Sequence, residues 1–150
     1  MRKARKEAEN EWDSAELTIL SLMLMDADTA TYTAAAMMER GVELQNEAIR
    51  SAAEELLIKY AGGENTSTAV MISELEPMQA EAVSAAEAQA EKIKGDVRQI
   101  ADDCVKRMLK AKLSAELEDE FAKASGLEGE ERKQSLNKAN EIAKKLKLLR

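Results

Sequence analysis

At 150 residues, 34% of them charged and 45% apolar, the chain is long enough for a self-sufficient core and too apolar for general disorder. Aromatics are only 3% and proline occurs once, while Ala, Leu, Glu, Lys and Met recur throughout; this excludes a β-sandwich or barrel and favours helices. The formal charge of −7 is uneven: residues 1–6 and 130–150 each carry +4 and residues 7–129 carry −15, an acidic body that argues against a dedicated nucleic-acid binder.

The first predicted helix runs from about residue 3 to Met25. Ala8, Trp12, Ala15, Ile19 and Leu22 recur at helical spacing and place one apolar face inward. Its basic first turn, Arg2, Lys3, Arg5 and Lys6, opposes the helix dipole. The apolar run Leu17–Met25 is about half the ~18 residues a membrane span needs. Glu7, Glu9, Glu11, Asp13 and Glu16 stand between the basic residues and that run, so it does not read as a secretory leader.

A second helix is expected from an Asp28 cap to Tyr60 or Ala61, with Met38, Val42, Ile49, Ala52, Leu56 and Tyr60 as its stripe and Gly41 inside the pattern. Gly62 to Ser67 is the clearest loop; it contains the sequon Asn65-Thr66-Ser67, without meaning in a cytoplasmic chain. A short helical segment reaches Glu74. Ser73-x-x-Glu76 resembles a capping box, and Pro77 then kinks the helix or restarts it. From Pro77 to about Ala124 one long helix is favoured, because Ile93, Val97 and Ile100 keep register across Gly95; Gly95-Asp96 is the plausible break, with Asp96 as cap. Ser125-Gly126-Leu127 closes it. The last helix, about Glu130 to Leu149, carries Leu136, Ala139, Ala143, Leu146 and Leu149 at coiled-coil-like spacing.

The expected fold is therefore all-α: a bundle of about four helices in a single domain over residues 1–150, with the 77–124 helix long and kinked or broken near Pro77 or Gly95. Agreement between local signals and global pattern also suits a computationally designed chain with no natural activity. Irregular methionine placement, Gly41 and the basic first turn count against a highly idealised design.

The chemistry-bearing residues are sparse. With no histidine and a single cysteine, the commonest base, the commonest metal ligand, zinc fingers, iron–sulfur centres and Cys-His nucleophiles are all excluded. There is no phosphate loop and no nucleophile elbow. Glu39, Glu43 and Glu47 at four-residue steps, and Glu81, Glu87 and Glu91 further on, read as solvated acidic faces rather than a cation site. Cys104, flanked by Asp102 and Asp103, reads as a buried small hydrophobe. No enzyme activity and no cofactor are expected.

The leading functional expectation is a non-enzymatic structural or protein-interaction module. The alternative is a pocket for a small apolar ligand in a methionine-rich interior, or a site built from Arg40, Glu43, Gln45, Arg50 and Lys59, whose spacings do not share one inward face. In an even-numbered antiparallel bundle Arg2, Lys3, Arg5, Lys6, Lys144, Lys145, Lys147 and Arg150 meet as a candidate basic partner-binding patch. If the 77–124 helix outreaches its neighbours, Leu113, Leu117 and Phe121 form an exposed stripe for a protein partner or self-association. A single cysteine and no transmembrane segment fit a cytoplasmic setting.

Overall fold

A computed structural model of the chain describes residues 12–63 and 68–149. Every regular element among them is an α-helix: α1 Ser14–Met23, α2 Ala27–Arg40, α3 Glu47–Ala61, α4 Thr68–Glu74, α5 Pro77–Ala90, α6 Val97–Ser125 and α7 Gly129–Leu148. The all-α expectation holds. The count of about four helices does not, because local backbone chemistry breaks two long periodic stretches.

Asp13 sets the start of α1 by accepting the Glu16 N–H at 3.0 Å, so the helix begins well after the point the apolar stripe suggests. The rest of the expected stretch, residues 3–11, lies outside the described residues. Asp26, rather than Asp28, caps α2 by accepting the Thr29 N–H at 2.7 Å. Gly41 ends α2 with φ of 65°, and the Val42 N–H returns to the Met37 carbonyl at 3.1 Å. That closure satisfies a terminal carbonyl and needs a left-handed residue, which glycine provides without strain. Asn46 then caps α3 through the Ile49 N–H at 3.1 Å. Pro77 occupies the first turn of α5, where its missing N–H costs nothing. The capping box does not form: the Ser73 hydroxyl donates instead to the Val70 carbonyl.

The favoured continuous 77–124 helix is interrupted between Ala90 and Val97. Gly95 adopts φ of 104°, and Asp96 accepts from the Arg98 and Gln99 N–H groups at 3.0 and 3.3 Å. Register across Gly95 is thus a weak guide. Ile93, Val97 and Ile100 remain half-buried although the helix between them is broken.

The chain divides into two compact units, Met1–Val105 and Lys106–Arg150. In the first, α1 packs on α2, α3 and α5, while α5 also packs on α3 and α4. Ile19, Leu20, Leu22, Met23, Ile49, Met71 and Val83 are sealed from solvent. Each such side chain contributes about 1.5–3 kcal/mol. Ala82 and Ala86 let α1 approach α5 closely enough for the Ser21 hydroxyl to reach the Ala86 carbonyl at 2.8 Å. Tyr60 donates its hydroxyl to the Met23 carbonyl at 2.8 Å, tying α3 to the end of α1.

In the second unit α6 and α7 form an antiparallel hairpin, marked by the Ser135 hydroxyl bonding the Glu120 carbonyl at 3.0 Å and its carboxylate at 2.8 Å. On α6 Leu113 and Ala124 are buried and Leu117 and Glu120 half-buried; on α7 Ser135, Ala139 and Leu149 are buried and Ile142 and Leu146 half-buried. The α7 stripe is thus turned from the expected one. Ser135 is buried and bonded to Glu120 and Ile142 is half-buried, while Leu136 and Ala143 are exposed. Both registers share Ala139, Leu146 and Leu149, and the Ser135–Glu120 bonds accompany the one adopted. No helix among the described residues is long and apolar enough to cross a membrane.

Candidate functional site

The break after α2 creates a groove. From Gly41 the chain runs extended, so alternate residues point opposite ways. Val42 and Leu44 turn inward and are buried, while Glu43 and Gln45 stay exposed. This segment, the second half of α2 and the outer face of α3 enclose a cleft of about 500 Å³. Met23, Met37, Leu44, Ala53 and Leu57 contribute apolar walls, and Glu43, Arg50 and Glu54 add charge. Met38 also lines it and is 82% exposed. The cleft is open to solvent, and its floor is formed by buried core residues, Met23, Val42, Leu44 and Ala53.

A buried carboxylate holds the groove in shape. Glu16 is 7% exposed, and one of its oxygens accepts the Gln45 N–H at 2.8 Å and the Asn46 N–H at 3.0 Å. These charge-assisted bonds pin the 41–46 segment to α1. Nothing in the sequence marks Glu16 out from the other acids at the start of α1. Ser21 carries a fainter signal, as a polar residue inside the run Leu17–Met25.

Tyr32 makes a second polar cluster on α2. Its hydroxyl donates to the Asp102 carboxylate, whose oxygens lie at 2.9 and 3.0 Å, and the Arg98 guanidinium sits 4.9 Å from the ring centre. The bond to Asp102 raises the phenol's pKa. Tyr60 is also pushed up, by burial and then by the Asp26 charge.

The other expected sites disperse. Glu39 lies in the last turn of α2, Glu43 in the extended segment, and Glu47 opens α3, so they share no helix face. Glu81, Glu87 and Glu91 are exposed, and among the described residues no three Cys, Asp or Glu side chains converge to hold a metal. Cys104 is buried. Of the polar set considered for a pocket, Glu43 and Arg50 line the groove, Arg40 is exposed and Lys59 pairs with Glu74 at 2.9 Å. Lys144, Lys145 and Lys147 are exposed on α7; Arg2, Lys3, Arg5, Lys6 and Arg150 lie outside the described residues. Leu113 is buried at 7% exposed, Leu117 is half-buried, and Phe121 is 52% exposed, so the three do not form one exposed stripe. In comparisons with known proteins, no protein-family model, curated protein or solved structure matches the chain.

Proposed function

We propose that the chain is a non-enzymatic interaction module whose first unit receives an amphipathic helix of a protein partner in the groove between α2 and α3. The observation that carries this reading is Met38, a large apolar side chain held in solvent at the rim of an open, methionine-walled cleft. Methionine is unbranched and polarizable, so such walls adapt to different apolar anchors. Helix-in-groove recognition needs an elongated apolar trough with charge along its rim. Of the charged residues that line it, Glu43 and Glu54 outnumber Arg50, which favours a basic partner helix. A small buried ligand fits less well, because pockets for such ligands enclose most of the ligand's surface.

The test follows the methionine methyl resonances of the full chain while a synthetic basic amphipathic peptide of about 20 Leu, Ala and Lys residues is added. Met23, Met37 and Met38 are expected to shift, Met71 and Met108 to stay, and Met38→Glu to weaken binding about tenfold. No saturable shift up to about 1 mM peptide removes the proposal. Shifts at the same methionines with anilinonaphthalene sulfonate but not the peptide replace it with the small-ligand reading.

A further inference from the structure

The walls of the α2–α3 groove are built in part from sulfur. Met23, Met37 and Met38 line it, and they differ in access: Met23 is buried, Met37 is half-buried and Met38 is 82% exposed. Among the other described methionines Met71 is buried, Met25 and Met108 are half-buried, and Met78, in the first turn of α5, is 58% exposed and is not one of the groove's walls. Cys104, the single thiol of the chain, is buried. Susceptibility of sulfur to oxidation follows exposure, so a mild oxidant arriving from solvent meets the Met38 thioether before the other described sulfurs.

The position of Met38 makes that reaction a change of surface rather than of fold. Its backbone is fixed in the last turn of α2, where its carbonyl accepts the Gly41 N–H at 3.1 Å and the Met37 carbonyl accepts the Val42 N–H at 3.1 Å. Its side chain takes no part in the sealed core, which holds Met23 and Met71. A sulfoxide at either of those two sets a polar S–O group among apolar neighbours and destabilises the fold. A sulfoxide at Met38 stays in water while the groove is empty. The penalty arises when an apolar anchor covers the rim, because the S–O oxygen then loses water and gains no donor from a Leu or Ala side chain.

We infer that Met38 is a redox modification site: a peroxide converts its thioether to the sulfoxide, and the oxidised groove no longer holds a helix. The inference rests on the groove reading above and adds its regulation. The step is a two-electron oxygen transfer. The sulfur lone pair attacks one peroxide oxygen, an S–O bond forms and the O–O bond breaks. The proton on the attacked oxygen moves to the departing oxygen, which leaves as water or an alcohol. Sulfur is oxidised, the peroxide is reduced, and no acid or base of the protein takes part. Exposure serves the return reaction as well, since a sulfoxide reductase must reach the S–O group. A helix seated in the groove covers Met38 and shields it from the oxidant.

The test treats the full chain with hydrogen peroxide for increasing times. The sulfoxide fraction at each methionine is read by peptide mass spectrometry, and affinity is measured for the basic amphipathic peptide of Leu, Ala and Lys. Among the described methionines Met38 is expected to oxidise first, Met78 next, and Met23 and Met71 about tenfold more slowly or less. As Met38 converts, the helical circular dichroism spectrum should be retained while the dissociation constant rises about tenfold. The two sulfoxide reductases, one for each epimer, should restore it. Saturating peptide should slow oxidation of Met38 and leave that of Met78 unchanged. Met78→Leu should respond to peroxide as wild type does, and Met38→Leu should keep through peroxide whatever affinity it has before. If the untreated chain does not bind the peptide, the groove reading fails and takes the switch with it. If the untreated chain binds and Met38 sulfoxide binds equally well, or if Met38→Leu still loses its affinity in peroxide, the switch fails and the groove reading stands. Oxidation of Met78 ahead of Met38 also overturns the inference.

Discussion

Glu16 is the residue whose loss tells most. Alanine there leaves the Gln45 and Asn46 N–H groups without their acceptor, at a cost of about 2–4 kcal/mol. Glu16→Gln keeps an oxygen in reach and should cost no more than about half as much. Urea unfolding monitored by circular dichroism separates the two. Asp26 and the tyrosines act at opposite ends of the pH scale. The Thr29 amide lowers the folded pKa of Asp26, so its stabilisation is complete above the ordinary carboxylate range and disappears as pH falls through the lower folded value. Tyr32 and Tyr60 are both raised, so their stabilisation is complete below the ordinary tyrosine range and disappears as pH climbs through the higher folded values. Ultraviolet titration should show both phenols ionising late. Asp102→Asn should return Tyr32 toward the ordinary range and leave Tyr60 where it was.

At the scale of elements, periodicity is a good guide to helical state and a poor one to helix ends. Residues on one face stay in phase for several turns, so Met38, Val42 and Ile49 fit a single helix on paper even though an extended segment lies between α2 and α3. The decisive information sits in Gly41 and Gly95, each of which supports more than one reading. A glycine inside a periodic pattern can be tolerated or can terminate it, and the choice depends on tertiary bonds such as those from Glu16. The groove is illegible in the sequence for the same reason, since it exists only because α2 stops. Gly41→Ala tests this directly. An added Cβ meets no neighbour within 4 Å, so the whole cost is the left-handed backbone, about 1–2 kcal/mol in thermal unfolding. The hairpin poses a different ambiguity. Ala139, Leu146 and Leu149 belong to both α7 registers, and the Ser135–Glu120 bonds distinguish the two.

For the whole molecule, burial is unequal between the units. Most fully enclosed apolar side chains lie before residue 106; Leu113, Ala124, Ala139 and Leu149 are the buried apolar residues beyond it among those described. Local stability follows buried contacts, so amide exchange in α7 should exceed that in α1 and α5 by about a hundredfold or more. The carboxylate of Glu16 has one further implication. It is absent from the cleft's lining, yet it anchors the strip that carries Val42 and Leu44, two of the cleft's walls. The gauge of that opening is thus adjustable from behind, by changing an atom no occupant would ever meet.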